Sequence, residues 1–172
     1  MRIIIGSMTL LLLLGACSSK TEDPLSERIE KNKTLYKHLQ KTEKAQLYDH
    51  NITKALLTAT YLYPSGKKPG RGEDDEVFIV GLYLDEKQES GIGREYLLTL
   101  DGEKPKSILP LPKQSPYLKK IPFVTVWNSY YLVTFPHTSC KNFTLLFESS
   151  RYGKKTMPFS KAAKYVESQK AF

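Results

Sequence analysis

His137 and Cys140 are spaced as His-x-x-Cys, a pattern that could supply half of a zinc site because both side chains bind zinc. The other two histidines, His38 and His50, lie in a different region of the chain, and no second cysteine accompanies Cys140. A buried structural thiol is therefore the favoured interpretation of Cys140, and a role as nucleophile has still less support.

Two other stretches suggest calcium or phosphate binding. Residues 73–76 are four consecutive acids, but calcium loops space their ligands alternately, so a solvated charged loop is favoured. Residues 91–93 (Gly-Ile-Gly) lie between two predicted strands without the helix that a phosphate loop requires. The chain also lacks G-x-S-x-G, H-E-x-x-H and Walker motifs. We therefore expect a non-enzymatic protein with no metal and no cofactor.

The chain begins with the parts of a secretory signal. Met1-Arg2 is a short positive start, residues 3–14 are almost wholly apolar, and Gly15-Ala16 precedes Cys17. The apolar run is shorter than the roughly 20 residues that a membrane span needs. The four residues Leu14-Gly15-Ala16-Cys17 resemble the lipobox of bacterial lipoproteins.

That resemblance covers only the leader, and it implies a lipid anchor. The family's chemistry places diacylglycerol on the Cys17 thiol, cleaves the chain before Cys17 and acylates the new amino group, for example with palmitate. Ser18, rather than Asp, follows Cys17; in the common Gram-negative sorting pattern this implies the outer membrane, facing the periplasm. An uncleaved anchor or an ordinary secretory signal is the alternative. In an oxidising envelope, Cys140 should then be buried or paired with another chain.

Two asparagines are candidates for glycosylation. Asn32 and Asn51 each stand in an Asn-x-Thr with an acid two residues earlier, Glu30 and Asp49. These stretches resemble the extended acceptor sequon of bacterial N-linked glycosylation. The Asn-x-Thr at Asn142 departs from that pattern because Cys140 occupies the acidic position.

Composition indicates one globular domain. The chain has 172 residues with 40% hydrophobic and 26% charged residues. The net charge is +8, and loss of Arg2 with the leader leaves +7. The lysines are scattered, whereas a nucleic-acid binder concentrates its charge on one face. The expected partners are the membrane, through the anchor, and an envelope protein or a glycan, but no nucleic acid.

An amphipathic helix is predicted over residues 24–50, after a lipidated tether at 17–23. Its narrow apolar stripe is Leu25, Ile29, Tyr36 and Leu39, and it fades beyond Leu39. Packing on its own domain is favoured over pairing with a partner helix, since two heptads are fewer than a coiled coil usually needs.

Alternation of apolar and polar residues predicts about seven strands within a β domain at 51–172. Pro110 and Pro112 argue that one of them is an edge strand, and Asp101-Gly102 is a hairpin-type turn. Ser160 is the predicted cap of a short C-terminal helix ending near Ser168. The predicted strands lie at 53–63, 77–84, 95–100, 106–111, 123–135 (with a break or bend at Asn128-Ser129), 142–149 and 154–159.

These elements predict a mainly β fold. Few long helices separate the strands, so an antiparallel β-sandwich, immunoglobulin-like in the broad sense, is expected, with a small open barrel as the alternative. We expect a lipid-anchored envelope protein acting as a non-catalytic interaction or assembly module. A ligand-binding lipoprotein for glycan or cell-wall polymer is the alternative. A flat apolar patch would favour the first and a groove lined by Tyr and Lys the second.

Overall fold

A computed structural model describes residues 32–33, 35–62, 75–85 and 91–161. This part of the chain is mainly β and forms two antiparallel sheets. The five-stranded sheet has the order β1-β2-β3-β6-β5, and the three-stranded sheet has the order β4-β7-β8. The strands are β1 (Thr42–Asp49), β2 (Ile52–Tyr61), β3 (Glu76–Leu84), β4 (Tyr96–Leu100), β5 (Ser107–Leu111), β6 (Ser129–Phe135), β7 (Asn142–Ser149) and β8 (Gly153–Ser160).

The first strand corrects the predicted helix over residues 24–50. Residues 35–40 are helical, but Thr42–Asp49 is β1, so the helix was predicted to end too late. Ala45 and Leu47 are buried on alternate positions, a period of two that serves a sheet and not a helix. β1 pairs with β2 through a two-residue turn at His50-Asn51, where both residues have positive φ. Residues 24–31 lie outside the described residues.

One hydrophobic core lies between the two sheets. Aromatic rings from both sheets meet there: Phe78 of β3 packs 5.1 Å from Phe159 of β8, and Tyr61 of β2 packs 5.1 Å from Phe143 of β7. The edge strands β1 and β8 also contact each other. Burial of these large rings supplies the main stabilising term, since a fully buried side chain of this size contributes about 1.5–3 kcal/mol.

The predicted turn and edge strand are confirmed. Asp101 and Gly102 both have positive φ, and Leu100 and Glu103 exchange backbone hydrogen bonds across them at 2.9 Å. The chain then leaves for the other sheet, because β4 pairs with β7 whereas β5 pairs only with β6. Pro110 of β5 is tolerated because β5 is an edge strand.

The predicted strand over 123–135 is wrong in its first half. Only Ser129–Phe135 forms a strand, β6, and residues 123–128 are irregular. Phe123 has φ of +61°, which a strand does not accommodate, and Asn128 is buried against β3. The break expected at Asn128-Ser129 is therefore the true start of the strand. Ser160, the predicted cap, is the last residue of β8, and beyond Lys161 the predicted C-terminal helix ending near Ser168 lies outside the described residues.

Candidate functional site

Among the described residues, the largest concentration of exposed apolar side chains lies in the segment between β5 and β6. All five residues of 123–127 are exposed, and four of them are apolar or aromatic. Trp127 is 77% exposed and Val126 is 66% exposed. Exposed apolar side chains grouped in one segment mark a binding surface more often than scattered single residues do. We define the apolar platform as Tyr117, Phe123, Val124, Val126 and Trp127.

The segment is fixed to the outer face of the five-stranded sheet by its other side chains. Leu118, in a single turn of 3-10 helix (Leu118–Lys120), and Ile121 are buried against Ile79 of β3 and Tyr130 of β6. This second, smaller core orients the segment, because its inward residues are apolar and its outward residues form the platform. The platform is therefore held by packed elements and is not a free loop.

Tyr130 links the platform to the sheet. Its hydroxyl accepts a hydrogen bond from the Thr125 N–H at 2.6 Å and lies 3.3 Å from the Thr125 carbonyl. The ring lies over Gly81 of β3, where a Cβ would be 2.8 Å from the nearest ring carbon. Glycine is thus required in this central strand by the close approach of the Tyr130 ring.

Lysines border the platform. The Lys44 ammonium of β1 lies 3.7 Å from the centre of the Phe123 ring, within cation–π range. Lys113 donates to the Val126 carbonyl at 2.7 Å. Lys119 and Lys120 are exposed beside Tyr117 in sequence. The surface therefore combines apolar groups with positive charge.

The helical residues 35–40 adjoin this surface. His38 Nδ1 lies 2.5 Å from the Lys120 carbonyl, so the imidazole donates there and brings the helix end to the 3-10 turn. Tyr36 and Leu39, two members of the predicted apolar stripe, are exposed. At these two positions the stripe does not pack into the core of the domain, contrary to the favoured interpretation.

A second group of ionisable and polar residues surrounds the buried Glu76 at one end of the sheets. Glu76 is 3% exposed; its carboxylate accepts from the Tyr61 hydroxyl, from the Lys161 ammonium at 2.7 Å and from the Thr138 N–H at 3.2 Å. His137 Nδ1 is 3.4 Å from the same carboxylate oxygen as Lys161. These contacts join β2, β3, the β6–β7 connection and the end of β8, so the group ties the strand ends together.

Lys41 lies near this group. Its ammonium donates to the carbonyls of Ser160 and Lys161 at 3.0 and 3.1 Å, and it sits 5.6 Å from the centre of the Tyr61 ring. Burial lowers the pKa of Lys41 below its ordinary value of 10.5, because the charged form loses hydration.

The two members of the His-x-x-Cys pattern lie in different surroundings. His137 faces Glu76, whereas Cys140 is exposed and its backbone N–H donates to Thr138 Oγ1 at 3.3 Å. The expectation of a buried Cys140 thiol is therefore wrong; the turn after β6 holds it outside the core. Within the described residues, no group of three or more His, Cys, Asp or Glu side chains could hold a metal ion.

The remaining predicted sites fall at the surface or outside the described residues. Asn51 is exposed at the tip of the β1–β2 hairpin, and Asn32 is exposed in a helical stretch. Cys17 lies outside the described residues. Among the tyrosines on the strands, Tyr61, Tyr96 and Tyr130 are buried. A shallow groove elsewhere contains neither tyrosine nor lysine; its lining is Asp101, Asn142, Phe143, Thr144, Pro158, Phe159 and Ser160.

Sequence reasoning missed the platform because it assigned residues 123–127 to a strand. Two signals were present: Pro122 directly before the run, and four apolar residues in a row of five.

Across the described ranges, no helix is both long and apolar enough to cross a membrane. Comparison of the chain with known protein families, curated proteins and solved structures gives no significant match. The function must therefore be inferred from the site itself.

Proposed function

We propose that this chain is a lipid-anchored protein of the cell envelope that acts, without catalysis, as an interaction or assembly module. The anchor rests on the resemblance of residues 14–17 to a lipobox, with Cys17 as the lipidated residue, and the outer membrane facing the periplasm is its proposed place. In this proposal the two sheets form a β-sandwich, immunoglobulin-like in the broad sense, whose outer face presents the binding surface.

The apolar platform is the observation that supports this proposal. Val126 and Trp127 are 66% and 77% exposed although the domain has a well-filled core elsewhere. Leaving such side chains in water is unfavourable by about 25 cal/mol for each Å² of apolar surface, so a partner that covers them gains free energy. Leu118 and Ile121 hold the segment in place before any partner binds, which lowers the entropy cost of binding.

The alternative, a binding protein for glycan or cell-wall polymer, predicts a groove lined by tyrosine and lysine. Within the described residues, the groove at Asp101, Asn142 and Phe143 does not have that lining. Exposed aromatic side chains can also stack on sugars, but here they stand beside exposed valines. An interaction surface fits the platform better.

Photo-crosslinking in living cells tests this function. A photoreactive amino acid is placed at Val126 in the full chain, and the same residue is placed at Leu97 as a matched control. Leu97 is 50% exposed but lies on β4 in the other sheet. We expect specific adducts from position 126 and none from position 97. The absence of adducts from position 126, or equal labelling at positions 126 and 97, would contradict an interaction role for the platform.

A further inference from the structure

We propose that the partner of the apolar platform is the surface of an anionic phospholipid bilayer, into which Trp127 and its apolar neighbours insert. This inference rests on the proposed function, because it names what the platform binds. It makes the domain lie on the membrane rather than hang from the lipid by a tether.

The chemistry of the platform matches the membrane interface. Tryptophan and tyrosine are favoured at the level of lipid headgroups, because their rings are apolar and carry one polar group. Trp127 and Tyr117 supply these rings, and Phe123, Val124 and Val126 supply apolar groups for the acyl boundary. A protein partner would usually provide a complementary cavity for so exposed a tryptophan, whereas a bilayer accepts it without one.

The charge around the platform matches anionic headgroups. Residues 104–147 contain no acidic residue and six lysines, a stretch that includes the whole platform. Lys44, which reaches it from β1, is exposed, whereas strand alternation places Glu43 on the opposite face with Ala45. Lysine stems can lie along apolar surface while their ammonium groups reach phosphate. Each lysine near an anionic surface favours binding by about fivefold.

The proposed lipid anchor also favours a bilayer as the partner of the platform. Fourteen residues lie between Cys17 and Asn32, and the fifteen steps of an extended chain between them span at most about 50 Å. The described chain starts at Asn32, and His38 then contacts Lys120 at the edge of the platform. The lipid and the platform can therefore reach one bilayer at the same time. Docking becomes intramolecular once the lipid has inserted, so even a weak surface preference is strengthened by the high effective concentration.

Trp127 is the only tryptophan of the chain, so its fluorescence reports on the platform alone. The full lipidated chain is purified in detergent and inserted into preformed vesicles. One set contains phosphatidylglycerol and the other only phosphatidylcholine, each with acyl chains brominated as quenchers. We expect Trp127 emission to shift to shorter wavelength and to be quenched in phosphatidylglycerol vesicles, and to be quenched much less in phosphatidylcholine vesicles.

Two kinds of variant distinguish the contribution of charge to docking from the contribution of apolar insertion. Replacing both Lys119 and Lys120 by glutamate should lower the ratio of docked to undocked domain by at least roughly 30-fold. Val126→Glu should abolish most of the quenching, whereas Leu97→Glu, on the other sheet, should leave it unchanged. Melting curves of each variant show whether the domain is still folded, so a loss of quenching in a folded variant reports on docking.

Three results would overturn the membrane proposal. Equal quenching in both vesicle types would remove the preference for anionic lipid. No quenching in either, together with protein adducts from position 126 in cells, would assign the platform to a protein partner and leave the proposed function intact. No quenching and no adduct of any kind would defeat the proposed function as well.

Discussion

Replacing Glu76 by glutamine should lower the free energy of unfolding by about 3 kcal/mol, the lower end of the range for removing one partner of a buried ion pair. Glu76 is almost fully buried, and the Lys161 side chain beside it is only 17% exposed. Glutamine keeps the shape of the side chain but leaves the Lys161 ammonium without its counter-charge. For a chain of this size, such a loss corresponds to a fall in melting temperature of roughly 6–12 °C.

The partner variant should be milder. Lys161→Met removes the ammonium, but the Glu76 carboxylate keeps the Tyr61 hydroxyl and the Thr138 N–H as donors. A loss of about 1.5–3 kcal/mol is expected, the range for hydrogen bonds to charged groups, because the ammonium also donates to the Thr138 carbonyl. When both substitutions are combined, the total loss should be smaller than the sum of the two single losses by about 1–3 kcal/mol, because the double variant leaves no buried charge without its partner.

Urea denaturation followed by circular dichroism measures these free energies in one double-mutant cycle. The exposed pair of Lys106 and Asp75, 2.6 Å apart, provides the control: Lys106→Met should change stability by no more than about 1 kcal/mol. If Glu76→Gln melts like the unmodified chain, or if the two losses are additive, the carboxylate is not the tie between β3 and the end of β8.

Three further outcomes are expected. Gly81→Ala should cost about 1–3 kcal/mol of stability, because the new Cβ meets the Tyr130 ring, and an unchanged urea midpoint would contradict that packing. Because burial lowers the pKa of Lys41 in the folded state, the unfolded state holds more protons as the pH approaches 10.5. The contribution of Lys41 to stability should therefore rise with pH in this range, and Lys41→Met should remove that contribution. Melting temperatures measured against pH test this, and the same pH dependence in Lys41→Met and the unmodified chain would refute it. In a host with the glycosylation pathway, Asn51→Gln should raise gel mobility, and identical mobility would mean that the sequon at the hairpin tip is unused.

Most of the β framework could be predicted because local alternation is a direct consequence of one buried face. Residues 142–149 alternate Phe143, Leu145 and Phe147 inward, and all three are buried. β1 was missed because its apolar pattern is weak and follows a helical stripe. Only pairing with β2 supplies the backbone hydrogen bonds that make Thr42–Asp49 a strand.

The platform could not be predicted from the local pattern, because the mostly apolar residues 123–127 are typical of a buried strand but pair with no strand among the described residues. Their conformation is decided by tertiary contacts: Tyr130 with Thr125, and Leu118 with the outer face of β3. The role of Glu76 also escaped the sequence, where it is the last of four acids in a row. Its partners Thr138 and Lys161 come from segments 62 and 85 residues away.

The lipid anchor underlies both the proposed function and the docking on the membrane, so the mature chain itself provides the most direct test. Intact mass is measured on the full chain purified from membranes, next to a Cys17→Ser variant expressed in the same way. We predict a chain that begins at residue 17, carries the added mass of diacylglycerol and one further acyl group, and stays in the membrane fraction. The Cys17→Ser chain should lack that mass and appear as uncleaved precursor or in the soluble envelope fraction. Equal processed mass and equal membrane partition for the two chains would contradict the account.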